Sequence, residues 1–256
     1  MVKISVITPT IREKSLDMVH RCLQRQDFQE FEWIVVSPYN YDQCDIWVEE
    51  PSKKEGTHYG LNAAWNAAIK QASGELMVSV VDLLWFPPNI LDDLWAHYCL
   101  DPFSCVGGIG HQYEYEHEGK PEGLVWKDPR MKDEPFHQVT PNEFELCVAS
   151  LPLEGIKEVG GFDEEFDKYA AMSEKELCFR MEILGYTFWL DQTLEYRALQ
   201  HPRLTTNWDE RYFAGVPYFQ QCIKDIHEGK RFRLDYLEKK EYIKSNGVSG
   251  KEPATL

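Results

Sequence analysis

Three short apolar runs, each followed by a stretch with helical spacing, constrain this chain more than anything else in it. The first, KISVIT at residues 3–8, is rich in β-branched side chains and stops at Pro9. Residues 15–26 follow, with Leu16, Val19, Cys22 and Leu23 on one helical stripe and Ser15 placed to cap it. FEWIVV at residues 31–36 is the second run. Residues 59–72 then carry Leu61, Ala64, Ala68 and Ile69 on one side of a helix that Gly74 stops. LMVSVV at residues 76–81 is the third, apolar throughout, as a strand covered on both faces must be. Pro87, Pro88 and Asn89 open another helix over residues 90–98. Strands joined through helices pair in parallel with right-handed crossovers. The spacing therefore predicts a doubly wound α/β sheet with helices on both faces.

Beyond it the pattern loosens. Residues 103–108 read as a further strand, and residues 110–141 as a polar, aromatic excursion or hairpin over the sheet. Residues 144–151 read as a strand and 153–159 as a short helix ending at Gly160 and Gly161. Leu177, Phe179, Met181 and Leu184 mark a helix over residues 174–184, with Gly185 as its stop. TFWL at residues 187–190 is a strand, and residues 209–227 a helix interrupted near Gly215 and Pro217. The 256 residues suit one α/β core with an added lobe. A hydrophobic share of 43% with 13% aromatics excludes disorder for most of the chain.

Charge and cysteine usage narrow the partners. Asp plus Glu number 43 and Lys plus Arg 27, a net charge of −16. A surface of that sign repels a phosphate backbone, so nucleic acid is not an expected partner, whereas small ligands and neutral polymers are. Cys22, Cys44, Cys99, Cys105, Cys147, Cys178 and Cys222 form no CxxC pair and are odd in number. No zinc or disulfide framework is legible, and buried thiols in a reducing cytoplasm are expected. The opening MVKISVI has no signal-peptide character, and no apolar run reaches the roughly 20 residues of a membrane span. The expected location is cytoplasmic.

In open α/β sheets ligands sit beyond the carboxyl ends of the strands. The segments to inspect are residues 8–12, 37–40 and 82–85, and the loop before Glu174. Here a resemblance emerges. ISVITPTIRE resembles a strand followed by Pro-Thr-Tyr-Asn-Arg, and GLNAAWNAAIKQASGE (residues 60–75) a helix of the form G…ARNxGIxxAxGE. VSVVDLLWFPPN falls where an Asp-rich motif precedes a proline. EGIKEVGGFDEEF (154–166) resembles an EVGGFDE segment, SEKELCFRMEILGY (173–186) an EDxDLCxRLxxxGY helix, and YRALQH a late Tyr-xx-His. These patterns, in this order over residues 3–201, resemble the GT-A fold glycosyltransferases of the family-2 type.

The resemblance implies a GT-A, Rossmann-like domain over residues 1–204, with a nucleotide-sugar half at 1–108 and an acceptor half at 109–204. A C-terminal helical extension (205–244) and a flexible tail (245–256) complete the division. It implies inverting transfer of a sugar from a nucleotide-diphosphate sugar to an acceptor hydroxyl, with a divalent cation, Mn²⁺ or Mg²⁺, or fixed donors stabilising the leaving group. Glu174 is the implied general base, at a helix start whose dipole would hold it ionised. Asp82 is the implied metal- or diphosphate-facing carboxylate. It aligns with the middle of the family's Asp-x-Asp or, after a one-residue shift, with its first ligand, Leu84 then replacing the second. His201 is either a second metal ligand or a plain cleft histidine. Pro9, Thr10, Arg12, Ser37, Tyr39, Asn62, Asn66 and Asp82 are the expected donor-binding set. In it Arg12 pairs with diphosphate or stays at the surface, and Tyr39 stacks on a base or sits in a turn. Trp85, Asp128, Arg130 and Glu176 are the acceptor candidates, Trp85 being equally suited to packing and Glu176 to plain solvation.

Other readings are less well supported. A nucleotidyltransferase wants a glycine-rich loop after its first strand, and TPTIREKS has no glycine. A degenerate GT-A protein that only binds sugar or a partner is the alternative, because Ser37 stands where the family carries an Asp. Acceptors range from saccharides and lipid-linked precursors to proteins. Residues 230–244 mix basic side chains with Phe232, Leu234, Tyr236 and Leu237, so they suit either peripheral contact with an anionic membrane or a solvated amphipathic helix.

Overall fold

The computed structural model describes residues 1–55, 57, 60–201 and 207–231. Its strands are β1 (Ile4–Pro9), β2 (Phe31–Ser37), β3 (Ile46–Glu49), β4 (Leu76–Val80), β5 (Leu84–Trp85), β6 (Ser104–His117), β7 (Lys120–Trp126), β8 (Phe136–Val139), β9 (Val148–Pro152) and β10 (Thr187–Leu199). The helices are α1 (Leu16–Leu23), α2 (Leu61–Gln71), α3 (Ile90–Leu100), α4 (Leu153–Glu158), α5 (Ser173–Ile183) and α6 (Trp208–His227). All ten strands form one sheet, ordered β3-β2-β1-β4-β9-β6-β10-β5, with β7 on β6 and β8 on β10. Pairing is parallel from β3 to β4 and between β6 and β10, so parallel neighbours predominate along the path. β9 enters antiparallel between β4 and β6.

The period-2 alternation of the strands sorts the core into two layers. Trp33 and Val35 of β2 face Leu16, Val19 and Leu94 of α1 and α3. Ile34 and Val36 face the other way, into a layer containing Ala64, Trp65 and Ala68 of α2, Ile156 of α4 and Leu177 of α5. α6 lies outside both and packs through Cys222 on Phe166 and Met172.

Several elements differ from expectation. The 110–141 stretch opens with the hairpin expected there, β6–β7, but this hairpin joins the sheet rather than lying over it, and β8 at the end of the stretch pairs with β10. The hairpin turns at Glu118 and Gly119, which both have positive φ (49° and 80°) as a two-residue type I′ turn requires. β6 runs on past residue 108 because its glycines mark close approaches rather than an end. A Cβ on Gly110 would come within 2.2 Å of the Tyr196 ring on β10. α6 passes through Gly215 and Pro217 unbroken. Ser15 does not cap α1 with its side chain. All seven cysteines are free; Cys22, Cys105, Cys178 and Cys222 are buried, but Cys99 is exposed. Among the described residues no helix is long and apolar enough to cross a membrane. The expected tail and most of the 230–244 segment lie outside the described residues.

Candidate functional site

The carboxyl ends of β1, β2 and β4 and the start of α5 surround a cleft of about 720 Å³. Pro9, Thr10, Arg12, Asn62, Asp82, Glu174 and His201 line it, so seven of the expected residues meet across 192 positions of sequence (Pro9 to His201). The long separation closes because β1, β4 and β10 belong to the same sheet.

Asp82 follows β4 and is already engaged. Its Oδ2 accepts from the Thr10 hydroxyl at 2.5 Å and lies 3.0 Å from the Ser15 hydroxyl. Arg12 Nη1 donates to both carboxylate oxygens at 3.1 Å. Arg12 Nη2 lies 2.9 Å from His201 Nδ1, so the guanidinium stands between the two residues expected to share a cation. The Arg12 backbone is fixed in turn: its N–H donates to Thr10 Oγ1 at 3.0 Å, and the Tyr39 hydroxyl donates to its carbonyl at 2.6 Å. Leu83, next to Asp82, has left-handed backbone (φ 60°), and Leu84 is buried. This donor set does not fit a dication: it offers one carboxylate, both oxygens hydrogen-bonded, and the neighbouring charge is positive. Among the described residues no three His, Cys, Asp or Glu are grouped to hold a metal ion.

Glu174 sits in the first turn of α5, behind two consecutive left-handed residues, Ala171 (φ 68°) and Met172 (φ 75°). Non-glycine residues seldom adopt this region, and where they do the cost, about 1–3 kcal/mol each, is sustained by surrounding structure. The helix start does not decide its ionisation, contrary to expectation. Burial raises the Glu174 pKa above the ordinary carboxylate value, its own amide and Lys175 pull it down less, and the nearby charge of Glu145 adds to the rise. A carboxylate raised in this way is a stronger base than a dipole-stabilised one.

The other expected residues lie elsewhere. Glu176 is fully buried, so it touches neither acceptor nor solvent. Arg180 grips it with Nε at 2.8 Å and Nη2 at 2.7 Å, and Arg231 donates to the same carboxylate from beyond α6. Ser37 is buried beneath the Tyr39 carbonyl, to which it donates at 2.5 Å. Asn66 clamps the glycine loop: its Oδ1 accepts from Phe162 N–H at 2.8 Å and its Nδ2 donates to the Phe162 carbonyl at 2.9 Å. Gly161 (φ 77°) must be glycine, since a Cβ there would come within 2.5 Å of Asn66 Oδ1. Trp85 is covered by Lys120, whose Nζ lies 4.1 Å from the ring centre. Asp128 is buried and paired with Arg130 Nη2 at 2.5 Å, tying the turn after β7 to Gly110 of β6. None of these seven lines the cleft.

Asp167 is a cleft residue that the sequence did not reveal. It accepts from the N–H groups of Asn62 and Ala63 at 2.9 and 3.2 Å and from Asn62 Nδ2 at 2.9 Å, so it caps α2 from 105 positions away. Burial raises its pKa. Asn62 Oδ1 is left buried with no hydrogen-bond partner. Glu145, Tyr169 and Trp208 also line the cleft, and their sequence surroundings carry no signal of it.

The chain is similar in structure to S. aureus TarS 1–349 in complex with UDP, with a TM-score of 0.59 and 17% identity, over 99% of this chain and 76% of that one. It is also similar to GalNAc-T7 with UDP, GalNAc and Mn²⁺, with a TM-score of 0.65 and 12% identity, over 98% and 58%. The chain has the GT-A fold. A third GT-A neighbour, S. aureus TarS 1–349 in complex with UDP-GlcNAc, matches with a TM-score of 0.57 and 18% identity over 88% and 65%. The chain spans 37% of the longer S. aureus TarS structure. No protein-family model and no curated protein sequence matches it.

Proposed function

We propose that the chain is an inverting glycosyltransferase that moves a sugar from a nucleotide-diphosphate sugar to an acceptor hydroxyl. The observation that carries this reading is the pairing, in one GT-A cleft, of a partly buried carboxylate whose pKa desolvation raises, Glu174, with the Arg12–Asp82 ion pair. The GT-A neighbours hold UDP and UDP-GlcNAc, which supports a nucleotide donor in the half formed by β1, β2 and β4. The acceptor enters along the wall that includes Glu145, Tyr169 and Trp208, replacing the acceptor set expected from sequence. Glu174 takes the acceptor hydroxyl proton, the oxygen attacks the anomeric carbon, and the diphosphate leaves with the bonding electrons.

Nucleotide release from UDP-, GDP- and TDP-sugars, with and without added saccharide acceptors, tests this. Wild type should release nucleotide from one donor class and give a product of inverted anomeric configuration by NMR. Glu174→Gln should lower kcat by about 10²–10⁴-fold with little change in donor affinity. Retained configuration, or unchanged turnover in the variant, would remove Glu174 from the base role.

A further inference from the structure

The diphosphate end of this cleft already contains a fixed cation. Resting on the donor reading above, we propose that Arg12 does the work of a divalent ion: its guanidinium, held by Asp82, binds the donor diphosphate, and donor binding needs no metal. The argument begins with the donors. Asp82 is the one carboxylate at the end of β4, and the next two residues, Leu83 and Leu84, offer no ligand. A dication at Asp82 would have to displace Thr10, Ser15 and Arg12 and then sit against a guanidinium that repels it. Arg12 faces no such conflict. Its side chain is partly exposed and lines the cleft.

The guanidinium is also pre-oriented. Nη1 is spent on Asp82 and one Nη2 proton on His201, which leaves the Nε proton and the second Nη2 proton for a ligand among the described contacts. Two parallel N–H donors match phosphate oxygens in the bidentate manner that lysine cannot reproduce. Thr10 and Tyr39 hold the backbone on either side, so little ordering remains to be done on binding. Lys53 is the other cation of the described lining. In the transfer step the acceptor oxygen–carbon bond forms as the carbon–phosphate oxygen bond breaks. The acceptor proton goes to Glu174, the electron pair goes to the diphosphate, and Arg12 keeps all its protons. Asp82 is then a positioning residue, acting through Arg12.

Calorimetric titration of the full chain with UDP, GDP and TDP, and with their parent nucleosides, tests this in EDTA and again with Mn²⁺. The nucleoside diphosphate that binds should do so in EDTA within about threefold of its Mn²⁺ affinity. Arg12→Ala should weaken that diphosphate by about 10–100-fold while leaving the nucleoside unchanged, with Arg12→Lys between. Asp82→Asn should weaken the diphosphate less, again sparing the nucleoside. A misfolded variant would lose both ligands together, and its melting temperature would show it. Binding by wild type only with Mn²⁺ overturns the proposal and leaves the donor reading standing. So does a diphosphate affinity that survives Arg12→Ala, or wild-type nucleoside binding without a diphosphate preference. No binding of any nucleotide in either buffer overturns the donor reading itself.

Discussion

Ala171 and Met172 carry the backbone strain that presents Glu174, and Ala171 allows that strain to be weighed. It is exposed, and its φ of 68° costs an L-residue about 1–2 kcal/mol relative to glycine. Glycine would relieve this but would gain freedom in the unfolded chain, which returns part of the difference. Ala171→Gly should therefore raise stability by about 0.5–1 kcal/mol, measured by urea unfolding at unchanged m-value. It should also loosen the α5 entry and lower kcat, because strain at such sites is commonly part of positioning. A variant that is less stable than wild type would show that Ala171 is not strained. Glu174 and Asp82 were legible in the sequence because each stands at an element end inside a recognisable pattern. Asp167 was not, since its task depends on a contact with α2 that spans 105 positions. The ion pair between Arg12 and Asp82 was equally hidden, because the resemblance offered both residues to the ligand and not to each other.

α5 is held to α6 through charge as well as packing. Glu176 lies fully buried between Arg180 and Arg231, and Arg231 also reaches Asp163 of the glycine loop, where the Tyr218 hydroxyl donates at 2.6 Å. The GGFDE and ExELCxR segments are thus bridged by Arg231, which lies outside both and pairs with an acidic side chain of each. Arg180→Ala would leave Glu176 buried with Arg231 alone and would also free the Val159 carbonyl, bonded at 2.6 Å. A loss of about 3 kcal/mol is expected, the low end for breaking a buried pair, because Arg231 remains. Double-mutant analysis with Arg231→Ala should show coupling; additive losses would mean that the two arginines act separately. The long helices and apolar strands were readable at this scale. β3 and β5 were not, having four and two residues with alternating or partial burial. Pro217 suggested a break that α6 does not make: the carbonyl deprived of its partner belongs to Phe213, a residue 70% exposed.

At the scale of the whole molecule the buried and partly buried carboxylates fall into two sets with opposite pH behaviour. For Asp128, Asp163 and Asp191 burial alone would raise the pKa, but hydrogen bonds from Arg130, from Tyr218 and Arg231, and from His97 and Thr193 outweigh it, and each is held below its ordinary value. Their folded pKa lies below the unfolded one, so their stabilisation is complete above the ordinary Asp value of 3.8 and is lost as pH falls through the folded values. Asp167 and Glu174 are raised by burial, and here the sign reverses. Their contribution is present below the ordinary values of 3.8 and 4.5 and is lost as pH rises through the raised folded values. Stability should therefore peak on the acid side of neutrality and fall in both directions. The net charge of −16 at pH 7 adds to the decline on the alkaline side, since self-repulsion grows as the remaining carboxylates ionise. Calorimetric melting from acid to neutral pH measures the curve, and two substitutions separate its limbs. Asp163→Asn should flatten the acid limb, because it removes a group that must take up a proton there. Glu174→Gln should raise the neutral-pH melting temperature while lowering turnover, because it removes a carboxylate that the fold would rather keep protonated and the proposed reaction needs ionised. Equal melting temperatures for Glu174→Gln and wild type across the neutral range would show that Glu174 ionises without cost, and the raised base on which the proposed transfer depends would go with it.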